Sequence, residues 1–281
     1  MPESATQEFA RMIAQAIGET ASLLQGRGMS SDHEFIAQFV LGKSATSYAA
    51  VRHLCQEGFG PDALMIARTI FENAINLAYI NRRPEERSRR FLEFEHVEEY
   101  RQIEALKKAF PGKRVVTAGD EERITDEYEA VKHNYKGASW SGETMHAMAM
   151  ECGLGPQYAL IYRLASGFVH GGPRSVHTYI ERQAGHYDVR LGAPDEEFTD
   201  RALLSAGMSV LIVLEEVCRA YGEEPPGEVR AAQSMAGKIG QPDPAAWEQP
   251  RTPQAARSTG PKDTRHKDTG RKAGDRPRDG E

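Results

Sequence analysis

Apolar residues recur along this chain at helical spacing, broken by glycine and proline at regular intervals. The first run opens at Ser4, where Gln7 completes a capping-box pattern, and continues to Gln25 before Gly26 and Gly28 stop it. Ser31 with Glu34 reads as a second capping box. It opens a helix through Phe35, Ile36, Phe39, Val40, Val51 and Leu54 that reaches Gly58, with Gly42 in its middle. Gly60-Pro61-Asp62 then predicts a helix start with proline in the first turn. Residues 63–80 are apolar on nearly every face, the mark of a helix buried all round.

Pro84 resets the chain. Residues 85–110 predict a long charged helix with an apolar stripe of Phe91, Phe94, Val97, Ile103, Leu106 and Phe110. Residues 120–132 predict a shorter helix, and Ser141 reads as the N-cap of one through Met145, Met148 and Cys152. Pro156 opens a further helix, ended by Gly171-Gly172. An irregular stretch follows, in which residues 186–191 alternate weakly as a short extended segment. Asp195 caps a last long helix, apolar at Leu203, Leu204, Met208, Leu211, Leu214 and Val217, and a short helix to Gly237 comes after Pro225-Pro226. Strand signals are almost absent, so the pattern predicts an all-α helical bundle.

From Gln241 onward the residues are mainly Pro, Gly, Arg, Lys, Asp and Thr, with Trp247 the one large apolar side chain. Such a segment buries too little surface to offset the entropy of ordering, so a disordered C-terminal tail is expected. The organisation expected is an N-terminal helix over residues 1–30, a helical core over 31–240 and a polar, basic tail over 241–281. A net charge of −6 argues against extensive phosphate tracking, while leaving room for a small local RNA site. Three widely spaced cysteines, Cys55, Cys152 and Cys218, form no CxxC pair and read as small buried hydrophobes. The first 25 residues contain no apolar signal-peptide core, and the most apolar run, residues 203–217, is too short to span a bilayer. A cytoplasmic protein without a membrane partner is expected.

Two polar ridges interrupt the two most apolar helices. Arg68, Glu72 and Asn76 fall at i, i+4 and i+8, and so do Tyr162, Ser166 and His170. Arg163 stands seven residues before His170, flanking the second ridge about 10 Å away along the helix axis. Polar groups on buried helices need partners, because an unpaired one costs about 1–3 kcal/mol. Ser166 lies mid-helix, where its hydroxyl bonds the preceding turn more naturally than it serves as a nucleophile.

The Arg163-x6-His170 spacing resembles that of HEPN ribonucleases, in which an arginine precedes a histidine by four to six intervening residues. The resemblance implies an all-helical, HEPN-like domain that dimerises and cleaves RNA without a metal or other cofactor, as in toxin and phage-defence systems with a cognate antitoxin or defence partner. His170 then serves as acid/base and Arg163 as phosphate clamp. Glu72 and Arg68 orient them, with Asn76, Tyr162, Ser166, Arg174 and His177 as further binding or orienting residues. Three other pairs share the spacing: Arg27 to His33, Arg89 to His96 and Arg90 to His96. Leu164 stands where HEPN enzymes usually carry a polar residue.

The segments ARTIFENAINLAYI at residues 67–80 and YRLASGFVHG at 162–171, together with Trp140, resemble an uncharacterised bacterial family of helical proteins. That resemblance covers about residues 35–221 and implies that the two ridges face each other. Two alternatives stand beside the nuclease. One is a non-catalytic binding or scaffold module whose ridges are structural. The other is a di-metal bundle, suggested by Glu93-x-x-His96 and Glu143-x-x-His146 with Glu72 and Glu127 or Glu129 as further carboxylates.

Overall fold

Helix order in the computed structural model follows the hydrophobic pattern closely. The structure describes residues 4–183, 186–189 and 196–239, without the side chains of 174, 177, 181–183, 196 and 197. The expected tail, Trp247 and the Asp195 cap lie outside the described residues.

Helix α1 spans Ala5–Leu24, and the Ser4–Gln7 capping box is made in both directions. Helix α2 spans Asp32–Gln56 and is capped by Ser31. Its expected box is shifted by one residue. The Glu34 carboxylate reaches past Ser31 to accept from the backbone N–H and hydroxyl of Ser30, at 2.6 and 2.7 Å. Those two bonds hold its carboxyl below the usual carboxylate range.

Helix α3, Gly60–Asn81, is the hub of the bundle and packs on α2 and on the last long helix, α10, Glu196–Ala220. Ala63, Leu64, Ala67, Ile70 and Phe71 of α3 are fully buried. Helix α1 lies against α10 and α11, Gly227–Ile239. Helix α4, Pro84–Ala109, pairs with α5, Ala118–Val131, to form an antiparallel arm. The arm carries its own small core of Phe94, Val97 and Tyr135. Phe110, expected in the buried stripe, is exposed because it caps the end of α4 beyond that core.

Helix α6 is Met145–Glu151 and is capped by Thr144, not by Ser141 as the sequence suggests. Gly142 has φ +76°, a left-handed conformation that cannot continue from Ser141 into a helix, so capping waits for the next hydroxyl. A short turn, α7 (Gly155–Gln157), runs into a π-helical turn at Tyr158–Tyr162 and then helix α8, Arg163–Val169. The stretch expected as one regular helix is therefore widened once, where the Arg163 N–H bonds the Tyr158 carbonyl five residues back. Pro173–Ser175 forms a 3₁₀ turn ahead of α9, Val176–Tyr179. An antiparallel hairpin then pairs β1, Ile180–Gln183, with β2, His186–Val189, with Ile180 opposite Val189. Only the second strand had a sequence signal.

Trp140 ties the parts together. It packs against the main core, the α3–α6 core and the arm, and meets Tyr79 and Phe91 edge to face at 5.8 and 5.3 Å. No helix among the described residues is long and apolar enough to cross a membrane.

Gly207 of α10 permits a close approach of α1. A Cβ added there lies 2.5 Å from Cε1 of Phe9 on α1, a residue that is itself fully buried. Gly207→Ala is expected to destabilise the protein by about 1–3 kcal/mol through overpacking, measured as a lower urea midpoint at unchanged m-value.

Candidate functional site

Each side chain of the α3 polar ridge has a partner. Arg68 and Glu72 form an i,i+4 ion pair at 3.0 Å, with side chains 15% and 30% exposed, so solvent screens the pair only partly. The same Arg68 Nη2 donates to the Tyr162 hydroxyl at 2.8 Å, and the guanidinium lies 4.3 Å from the Tyr162 ring centroid. The Arg68 Nε is buried with no acceptor. Asn76 accepts from the Trp140 indole N–H at 3.2 Å.

The two ridges thus meet, and among the described residues Tyr162 makes the hydrogen bond between them. Tyr162 reaches α3 from the π turn, where it stacks on Tyr158 with centroids 4.6 Å apart and planes 15° from parallel. His146 lies against Tyr158 at 5.1 Å. Burial pushes the Tyr158 phenol up, with the Tyr162 hydroxyl adding to the rise. Ser166 turns inward to its own helix and donates to the Tyr162 carbonyl at 2.7 Å, the mid-helix bonding expected of it.

Arg163 and His170 are different. Both are exposed, and neither side chain takes part in a hydrogen bond or ion pair among the described residues. Arg163 lines an open, shallow depression with Ala159, Leu160 and Leu164. Leu164 is half-buried against the main core, which accounts for an apolar residue after the arginine. His170 is the C-cap of α8. Its position is set by a closing motif in which the Gly171 N–H bonds the Phe168 carbonyl at 3.2 Å and the Gly172 N–H bonds that of Gly167 at 2.8 Å. Gly171 has φ +58°, and a Cβ at Gly172 would stand 3.1 Å from the Gly167 oxygen. Both glycines are needed to end the helix in this way. Arg174 and His177 fall in the turn and short helix just beyond, and their side chains lie outside the described set.

The rival Arg-to-His pairs are occupied. Arg27 pairs with Glu223 at 2.7 Å, and His33 bonds Asn81 at 2.5 Å. Arg89 lies 3.7 Å from Glu93, and His96, shared by two of the rival pairs, lies 3.2 Å from Glu127.

Four of the five carboxylates named for a di-metal site are likewise dispersed. Glu72 goes to Arg68, Glu93 accepts from Tyr135 at 3.3 Å, Glu127 takes Arg123 at 2.7 Å and Glu129 takes Lys132 at 2.5 Å. Among the described residues no three His, Cys, Asp or Glu side chains converge as a metal site would require. The three cysteines are free, and burial raises every thiol, that of Cys55 to about 12.

Sequence reading missed two further polar residues of α3. Asn73, 6% exposed, donates to Ser44 of α2 at 3.3 Å. Asn81 donates to the backbone carbonyl and the carboxylate of Glu216 on α10, at 2.9 and 2.7 Å. The available signal was the same as for Arg68: a polar residue inside an apolar helix.

Tyr162→Phe keeps the ring beneath Arg68 and removes the acceptor. It is expected to cost about 1–2 kcal/mol in urea unfolding, because the half-buried guanidinium already has an orphaned Nε. Ser166→Ala, which deletes only an intrahelical bond, should be close to neutral in the same measurement.

A family of unknown function (DUF5677) matches the chain over residues 34–187, more than half of its length. The start of the match agrees with the expected resemblance to an uncharacterised family. Its end falls earlier than the residue 221 that the sequence segments suggested. No curated protein and no solved structure matches the chain.

Proposed function

The chain belongs to the DUF5677 family, whose function is unknown, and from the site itself we propose that it is a metal-independent ribonuclease of HEPN-like character. The observation that carries this reading is selective availability. Of four Arg-to-His pairs separated by five or six residues, Arg163–His170 alone has both side chains exposed and unengaged among the described residues.

The chemistry follows from the residue types. The ribose 2′-oxygen forms a bond to phosphorus, and the bond from phosphorus to the 5′-oxygen breaks. A His170 imidazole takes the 2′-hydroxyl proton, and a protonated His170 returns one to the departing 5′-oxygen. Arg163 holds the phosphate as it gains negative charge. One imidazole cannot begin in both protonation states, so a homodimer that brings two Arg163–His170 pairs to one RNA supplies both. The Arg68–Glu72–Tyr162 cluster acts at one remove, by holding the residue that immediately precedes Arg163. Such an enzyme fits a cytoplasmic toxin or phage-defence role with a neutralising or defence partner.

A second reading, a non-catalytic helical binding module, draws on the open, shallow setting of Arg163. The two readings separate in one assay. The full-length protein should cleave single-stranded RNA in the presence of EDTA and leave 2′,3′-cyclic phosphate ends. His170→Ala should lower the rate by about 10²-fold or more, and Arg163→Ala should lower it comparably. His170→Ala cleaving as fast as wild type would end the nuclease proposal. RNA bound without cleavage would favour the binding module.

A further inference from the structure

We propose that the face of α4 opposite Trp140 carries a binding pocket for one phosphate-sized oxyanion, centred on Arg90. The reading stands apart from the nuclease proposal, because none of its residues belongs to the Arg163–His170 site.

Arg83, Arg87 and Arg90 stand at i, i+4 and i+7, so they share one face of α4. That face, with Tyr79, Trp140 and Ser141, encloses a small polar cavity of about 180 Å³. Arg87 is a fixed wall. It is 6% exposed, donates to the Tyr79 carbonyl at 2.6 Å, pairs with Glu151 at 2.8 Å and lies over the Tyr79 ring at 3.4 Å.

Arg90 has no such saturation. Its Nε is buried with no hydrogen-bond partner, and its guanidinium makes no ion pair among the described residues, lying 5.7 Å from the Tyr135 ring. Two of the nearby acids are taken. Glu93 is shared by Arg89 and the Tyr135 hydroxyl, and Glu86, exposed at the rim, is 3.5 Å from Arg83. Glu143 also lines the rim, leaving three arginines against two glutamates around the cavity. Arg90 thus brings to a polar cavity a guanidinium charge with no carboxylate partner among the described residues, which an anion in the cavity would balance.

A cavity of about 180 Å³ accommodates a phosphate group. The Ser141 hydroxyl accepts from the Glu143 N–H at 3.1 Å, and its own proton, now at 3.3 Å from the Glu143 carbonyl and the Met148 sulfur, can turn to the anion. The phosphate arrives either as the free ion or as the terminal group of a larger ligand that stays outside.

The indole of Trp140 reports on the cavity. With Trp247→Phe, it becomes the chain's one tryptophan. Titrating this full-length variant with inorganic phosphate should change its emission saturably, with a midpoint near or below about 1 mM that chloride at equal ionic strength does not reproduce. Arg90→Gln should weaken binding about tenfold or more, and Arg83→Gln, on the exposed rim, should weaken it less while leaving the fold intact. If free phosphate fails but a short 5′-phosphorylated oligodeoxynucleotide binds, with binding lost on removing its terminal phosphate or on Arg90→Gln, the anion enters as a terminal group and the pocket stands. The proposal is overturned if neither ligand binds saturably, or if both arginine variants bind like wild type.

Discussion

Helix α3 is surrounded by other elements along most of its length, and every polar side chain it carries must therefore be answered from somewhere else in the chain. Arg68 is answered by Tyr162 and Glu72, Asn73 by Ser44, Asn76 by Trp140, and Asn81 by Glu216 and His33. Four polar positions on one apolar helix thus connect it to the π turn, α2, the Trp140 loop and α10. Apolar burial supplies the driving force for collapse but is indifferent to register. The hydrogen bonds are not indifferent, since a helix slipped by one residue leaves several buried polar groups unpaired at about 1–3 kcal/mol each.

That requirement shapes the neighbouring segment. A regular helix through residues 158–169 would have continued the 3.6-residue phase. The π turn at Tyr158–Tyr162 instead accompanies a Tyr162 hydroxyl delivered to Arg68 and a stack of the two tyrosines. With Tyr162 and Ser166 committed inward, Arg163 and His170 are left on the outside, and the Gly171–Gly172 closure fixes where the histidine sits. The same polar stripe therefore divides into residues that hold the fold and residues that make no hydrogen bond or ion pair among the described residues. The arm repeats this division along α4, where Arg87 is saturated and Arg90, less than one turn further on, is not.

Much of the framework was legible from local pattern. The Ser4–Gln7 box, the Gly60-Pro61 start and the Gly-Gly stop depend on residues within four positions of one another, so sequence proximity states them almost completely. The misplaced features are those in which a nearby alternative competed. Gly142 moved a cap from Ser141 to Thr144, and Ser30 drew Glu34 one residue past its expected partner. The β1 strand had no signal of its own, because a two-residue-period pattern over four residues appears only once its partner is known.

The sequence by itself determined an all-α bundle, the centrality of residues 63–80 and the presence of two polar ridges that needed partners. Periodicity and capping are read within a few residues, and they sufficed for that. Only the tertiary structure decided which polar residue met which: that Tyr162 hydrogen-bonds the ridges together, that Asn76 belongs to Trp140, and that Arg163 and His170 are unengaged among the described residues while rival pairs of similar spacing meet Glu223, Asn81, Glu93 and Glu127. The physical reason is distance along the chain. A spacing such as Arg-x6-His describes one helix face, whereas a side chain's availability depends on partners contributed by helices dozens to more than a hundred residues away.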